Sequence, residues 1–377
     1  MRVLPTVKTV NCTKQPSKEP ASRQTGKYDP FVRGRSPVGV RTLKALDTTR
    51  NRLFPCEIWY PAVAKYAGQD VAAETQDSFT IPSGDTSRPQ MAVRDATSQP
   101  GTYPLIIFSH SSGRWNRRGA TFLCTHLSSH GYVVAALDHS EIVARELARK
   151  DAETTEQTAA RVEALLSSRV PDIRFLLDHL LSGAASQFQI NLDSTQIGIV
   201  GHSFGGWTAL AATAGEPRIR AVVALAPGGS SQPKPGILPA KLTFAWSRDV
   251  PTLYLVAEND VMTPLAGMFE LFDRTPATKQ MISLRKADHL HFMDNAEQEH
   301  EIARTMAWPG ELAWIPKEMR PFAELCSEQQ AHLFVRGLTL CHMDAILRAK
   351  KEAHRFLQGN LKAELAERGV DVIVHKP

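Results

Sequence analysis

The stretch Gly201-His202-Ser203-Phe204-Gly205 sets a serine between glycines, where a strand-like apolar run (196–203) gives way to a small-residue helical one (204–215). A serine on so sharp a strand-to-helix turn presents its hydroxyl above the end of a sheet, and small residues two before and two after let strand and helix approach. Ser203 is therefore a candidate nucleophile. Unassisted, a hydroxyl is weak, so a base and an orienting acid must exist, and for this kind of turn they follow in the order acid, then base. "PTLYLVAEND" (251–260) ends a buried-strand pattern with Glu258 and Asp260, and "LRKADHLHF" (284–292) carries His289 and His291. Asp260 is assigned as the acid because it lies in the loop past the strand, with Glu258 as the alternative. His289, directly after the last strand, is assigned as the base; His291 stays open, because residues two apart share a side if the stretch remains extended.

Such a set would run acyl transfer: the base takes the serine proton, the oxygen attacks a carbonyl carbon, and negative charge develops on the carbonyl oxygen. Two backbone donors must meet that charge. The N–H of Phe204 opens the helix after the nucleophile, and the second donor belongs to the loop after the first buried parallel strand, "FSHSSGRWNRRG" (108–119), where Ser112 is assigned and Ser111 is the near alternative. His110 precedes the serine and reads as a hydrogen-bonded residue shaping that loop. A metal reading of Asp288, His289 and His291 lacks a third placed ligand and an HExxH companion.

The elements that must position these residues are legible in the periodicity. Residues 38–47 and 53–62 read as an antiparallel hairpin. From "PLIIFSH" (104–110) onward, short apolar runs at 132–139, 196–203, 219–227, 251–260 and 279–287 alternate with helical stretches at 117–131, 154–184 (interrupted near Pro171), 204–215 and 327–358. Buried runs alternating with helices predict an α/β fold: a mostly parallel sheet, an antiparallel N-terminal hairpin, and helices on both faces. A single domain over 37–377, with excursions at 68–103, 228–249 and 296–326, follows a basic N-terminal segment, 1–36, expected to be a flexible tail.

Residues 1–36 hold eight Lys/Arg against two Asp/Glu, so the rest of the 377-residue, +5 chain is close to neutral. That argues against a nucleic-acid face on the domain. No apolar run approaches the length of a membrane span, the N-terminus lacks a secretory apolar core, and Arg2 excludes myristoylation, so a cytoplasmic location is expected. The five cysteines are far apart, without CxxC spacing, and read as reduced thiols. Trp308, Trp314, Ile315 and Met319, following the base in sequence, are candidates to wall an acyl pocket as a lid or to strap the core. Arg114, with Arg117 and Arg118 beside the oxyanion loop, is a candidate for an anionic substrate group.

With these residues in place the chain resembles the α/β-hydrolase superfamily, and within it the platelet-activating-factor acetylhydrolase and dienelactone hydrolase-like branch. The likeness rests on "IWYPA", "YPLIIFSHSSG", "LSSHGYVVAALDHSE", "GHSFGGWTAL" and "LFVRGLTLCHMDAIL" and covers about residues 38–358. It implies an α/β-hydrolase fold and a carboxylic-ester hydrolase using Ser203, Asp260 and His289 with donors at Phe204 and Ser112. It also implies short-acyl or phospholipid-like small-molecule or lipid esters as substrates, and no metal or organic cofactor. The same set could serve a lactone hydrolase or an acyltransferase, and the fold also hosts binders without chemistry. One departure is visible: position 111 is serine where the family usually has glycine after the histidine.

Overall fold

The computed structural model describes residues 28–80, 87–113, 115–148, 153–308 and 310–375. Its frame is a ten-stranded sheet. In chain order the strands are β1 (Val38–Asp47), β2 (Arg52–Pro61), β3 (Asp77–Thr80), β4 (Ser87–Gln90), β5 (Val93–Arg94), β6 (Gly101–Ser109), β7 (Val133–Leu137), β8 (Ile190–His202), β9 (Ile219–Leu225), β10 (Thr252–Ala257), β11 (Lys279–Leu284) and β12 (Val372–His375). They lie in the order β12-β11-β10-β9-β8-β6-β7-β2-β1-β5, with β3 and β4 forming a separate pair.

From β7 to β11 all neighbours are parallel. The β1–β2 hairpin joins antiparallel through β2 against β7, and β12 closes the far edge antiparallel to β11. Parallel strands are covered on both faces, which is why Leu105, Ile106 and Ile107 in succession are all buried.

The helices are α1 (Thr121–Ser129), α2 (Ser140–Val143), α3 (Thr155–His179), α4 (Phe204–Gly215), α5 (Leu265–Arg274), α6 (Ala296–Thr305), α7 (Ile315–Glu318), α8 (Glu328–Ile346), α9 (Lys351–Gln358) and α10 (Leu361–Ala366). One apolar core forms under α1 and α8, around Phe122, Leu123, Leu127, Phe334 and Leu338. The other forms under α3, α4 and α5, around Leu176, Leu177, Leu210, Leu271 and Phe272. No helix of the described residues is long and apolar enough to cross a membrane.

Four elements differ from the sequence reading. The α3 helix runs unbroken through Pro171. Proline removes the hydrogen bond to the carbonyl four residues back, and here both Pro171 and Ser167 lie on the exposed side, where water can take the freed carbonyl. The last helical stretch is two helices, α8 and α9, broken where Ala349 takes φ 50°. The excursion at 68–103 is not simply a loop: it holds the β3–β4 pair, and β5 adds to the sheet edge beside β1. Finally, residues 28–36, expected within the flexible segment, pack on the domain: Phe31 is buried, and Tyr28 donates from its hydroxyl to Asp344 at 3.1 Å. Residues 1–27 lie outside the described residues.

Candidate active site

The chain leaves β6 through α1 toward β7, and leaves β8, on the other side of β6, through α4 toward β9. Because α1 and α4 cover opposite faces, the loops after β6 and β8 diverge and open a crevice above the carboxyl ends of these strands. Ser203 sits at its floor, with φ 56° and ψ −116°, a conformation that side chains other than glycine rarely adopt. Its surroundings enforce it. The Ser203 N–H donates to the Leu225 carbonyl at 2.9 Å, and the Ser203 carbonyl accepts from Trp207 at 3.0 Å and Gly228 at 2.9 Å. The flanking glycines are obligatory: a Cβ at Gly201 would stand 2.0 Å from the Gly205 carbonyl oxygen, and one at Gly205 would stand 1.9 Å from the Ser109 carbonyl oxygen.

Ser203 Oγ lies 2.8 Å from His289 Nε2, and His289 Nδ1 lies 2.7 Å from Asp260 Oδ2. The Asp260 carboxylate is itself pinned, accepting from the N–H groups of Met262 (2.9 Å) and Thr263 (2.7 Å) and from the Thr263 hydroxyl (2.7 Å). Both partners are buried. Burial disfavours a charged imidazole, but the charge and hydrogen bond of Asp260, with Asp288 behind it, outweigh that and raise the His289 pKa above its ordinary value.

The alternatives are engaged elsewhere. Glu258 accepts from the Lys286 N–H and pairs with Arg285, while His291 donates from Nε2 to the Cys326 carbonyl and accepts the Asp288 N–H at Nδ1.

The oxyanion side follows the same pattern. The Phe204 N–H is the first of α4 and so has no intrahelical acceptor. In the loop after β6, His110 donates from Nδ1 to the Ser111 carbonyl at 2.6 Å and accepts the His139 N–H at Nε2, a neutral ring fixed in one tautomer. Burial, reinforced by Arg169, holds its pKa well below the usual value, and with both ring nitrogens engaged it shapes the loop. Ser112 is half-buried on the same loop.

Two arginines considered for an anionic substrate are occupied: Arg117 binds Asp138 and Glu57, and Arg118 binds Glu57. Arg114 lies outside the described residues. Trp308 and Trp314 donate their indole N–H groups to the carbonyls of Ala303 and Pro235. Their rings join a small apolar cluster of Leu290, Met293, Ile315, Met319, Trp115, Val261, Met262 and Leu312. Leu290 follows His289 in sequence and Val261 follows Asp260, so this cluster packs directly beside the two loops that carry them. The segment 296–326 is thus a packed cap over those loops.

Three supporting residues escaped the sequence reading. His202 donates from Nε2 to the His289 carbonyl at 3.0 Å, Asp288 accepts the N–H groups of His289 and Val261, and Thr263 holds Asp260. His202 and Asp288 adjoin Ser203 and His289 in sequence, which was the available signal, and each also meets a partner on another loop, the His289 carbonyl and the Val261 N–H; Thr263 holds Asp260 from within the same loop.

Comparison with known proteins bears on the fold and the class of enzyme. The family model described as PET hydrolase-like matches residues 116–335, and that of platelet-activating factor acetylhydrolase, isoform II, matches residues 44–167. The chain is 25% identical over 190 residues to cutinase est1 of Thermobifida alba, covering 50% of this chain and 53% of that one. It is 26% identical over 227 residues to the platelet-activating factor acetylhydrolase of Cavia porcellus, covering 51% and 48%. It is 22% identical over 213 residues to the bis(hydroxyethyl) terephthalate hydrolase of Streptomyces coelicolor, covering 56% and 58%. The chain thus spans about half the length of these relatives. A ferulic acid esterase from Streptomyces cinnamoneus, 22% identical, superposes with a TM-score of 0.65 over 91% of this chain and 97% of that one, which identifies the fold as that of the α/β-hydrolases. With a match spanning more than half of its length, on that fold and around that serine turn, the chain belongs to the PET hydrolase-like family.

Proposed function

We propose that the protein is a serine carboxylic-ester hydrolase acting through a covalent acyl-enzyme. His289 Nε2 takes the proton of Ser203 as Oγ attacks the ester carbonyl, and Asp260 holds the imidazole in the tautomer that can accept it. The Phe204 and Ser112 N–H groups receive the oxyanion, the alcohol leaves with the proton from His289, and water activated by the same base releases the acid. The observation that carries this reading is the unbroken relay from Ser203 Oγ through His289 to Asp260, with contacts of 2.8 and 2.7 Å.

Neutral esters with apolar acyl or aryl groups suit this site best. The apolar cluster with Trp115, Trp308 and Trp314 packs beside the loops that carry Asp260 and His289, and Arg117 and Arg118 are taken up by buried carboxylates. The relatives named cutinase, bis(hydroxyethyl) terephthalate hydrolase and platelet-activating factor acetylhydrolase support ester hydrolysis as the reaction class. Short p-nitrophenyl esters, with fluorophosphonate labelling in parallel, test the reading. Wild type should hydrolyse the ester and be labelled at Ser203, and Ser203→Ala should lose both; hydrolysis persisting in that variant would overturn the assignment.

A further inference from the structure

Arg169, on α3, is completely buried, although a guanidinium is among the costliest groups to take out of water. Its donors do not go to a carboxylate alone. Besides its ion pair with Glu141 of α2, Nη1 donates to the His110 carbonyl at 2.7 Å and Nη2 to the Ser111 carbonyl at 3.3 Å. Its Cζ lies 4.2 Å above the centre of the Phe204 ring. One cation therefore touches the backbone of the loop that carries Ser112 and the side chain of Phe204, the two residues assigned as oxyanion donors.

The geometry matters because a trans peptide is planar, with its C=O and N–H pointing in opposite directions. The Ser111 carbonyl and the Ser112 N–H belong to one such plane. Holding that oxygen with Arg169 on one hand and His110 Nδ1 on the other fixes where the Ser112 N–H points, and donors on the carbonyl polarise the N–H opposite them. The His110 carbonyl does the same for the Ser111 N–H, so the whole turn is oriented from behind. On the other wall, the guanidinium braces the side chain of Phe204 at the start of α4. Glu141 balances the charge, so what Arg169 supplies is direction and rigidity more than field.

We propose that Arg169 is the positioning residue of the oxyanion pocket, fixing the Ser112 peptide and bracing Phe204 so that both N–H groups converge on the developing charge. This rests on the reading of Ser203 as the nucleophile. A buried ion pair can often be replaced as a pair by apolar side chains, whereas removing one partner strands the other charge, so stability alone does not distinguish the roles and the kinetics of the folded variants must.

The test is steady-state kinetics of Arg169→Lys and Arg169→Met on a short p-nitrophenyl ester, alongside inhibition by a trifluoromethyl ketone, which forms a charged tetrahedral adduct with a serine. Loss of an oxyanion donor costs on the order of 10²–10³ in turnover. For Arg169→Met, kcat should fall by about that factor while KM changes less than about threefold, and ketone affinity should fall in parallel with kcat. The acid limb of the pH profile should stay in place, because Arg169 does not touch His289. Arg169→Lys keeps the charge and a single donor head, so it should fold even if the methionine variant does not, and should recover only part of kcat. Adding guanidinium to Arg169→Ala should raise kcat.

Folded variants with wild-type kcat, a loss carried by KM, or a shifted acid limb would each overturn the proposal. The Ser203→Ala control separates the two readings: if it is inactive while the Arg169 variants behave as wild type, only the positioning role falls; if it stays active, both do.

Discussion

At the scale of residues, the behaviour of His289 is set by two carboxylates and not by one. Asp260 contacts Nδ1 directly, whereas Asp288 stands behind, accepting the His289 and Val261 N–H groups while crowding Asp260. Burial and the Asp260 charge raise the Asp288 pKa to about 6. A general base must be neutral, so kcat/KM of the wild type should fall as pH drops through the raised pKa of His289, placing the acid limb above the ordinary value of about 6.5. Asp288→Asn keeps an oxygen to accept the two N–H groups but removes the charge. With less support for the imidazolium, the acid limb should move to lower pH, by a few tenths to about one unit. A pH profile of kcat/KM for the two proteins checks this. An unmoved limb, or one displaced upward, would show that Asp288 acts on the backbone only.

At the scale of elements, the junction of β8 with α4 is where sequence and structure agree most closely, and the reason is steric. A nucleophile on so tight a turn demands glycine at fixed offsets, and that demand is written in five consecutive residues. The consequence is testable. In Gly205→Ala the new Cβ would meet the Ser109 carbonyl at 1.9 Å, backbone against backbone, so the junction must move or open. We expect a loss of about 3 kcal/mol or more by urea unfolding, at the upper end of overpacking costs, together with loss of activity. Gly215→Ala, at the other end of the same helix, meets only the tip of Arg174 at 3.2 Å. It should change stability by less than about 1 kcal/mol, with a gain the natural outcome of a stiffer unfolded chain. Equal effects at the two glycines would contradict the steric account.

The parallel strands were equally legible, because strands covered on both faces must be continuously apolar. Other features were not, since they depend on contacts across long stretches of chain. The short β12 gains its meaning only beside β11, and Pro171 is harmless only because its side of α3 faces water. Arg169 reads in sequence as one more charged helical residue; only the fold brings it under the loop 59 residues earlier. Asp260, His289 and Ser203 contact one another in the structure, whereas Glu258 and His291 have other partners, which spacing along the chain does not show.

At the scale of the whole molecule, the N-terminal segment marks the limit of reading charge as solvation. Eight basic residues in the first 36 suggest a solvated arm, yet the last nine of these residues are tied to distant parts of the chain. The ring of Phe31 fills the space above Gly337, where a Cβ would approach it to 2.1 Å, and packs on Phe356 with ring centres 5.7 Å apart. His126 of α1 and His130 just after it donate to the carbonyls of Pro30 and Val32, Arg33 pairs with Asp70, and Tyr28 reaches Asp344, which also binds Tyr132, Arg348 and Lys350. This strap covers α1 and α8, the helices under which one of the two main cores lies, and α1 begins where the oxyanion loop ends. A chain beginning at residue 28 retains every one of these contacts and should keep the unfolding midpoint and the ester activity of the full chain. A chain beginning at residue 37 loses the Phe31 side chain, which alone should cost about 3–5 kcal/mol as a core aromatic truncation, and strips the buried His126 and the half-buried His130 of their acceptors. Its urea midpoint should fall sharply, and Phe31→Ala in the full chain should reproduce much of the fall. Should the chain beginning at 37 unfold at the same urea concentration as the one beginning at 28, the strap would be decoration on a domain that is complete without it, and the boundary expected from charge alone would be the right one.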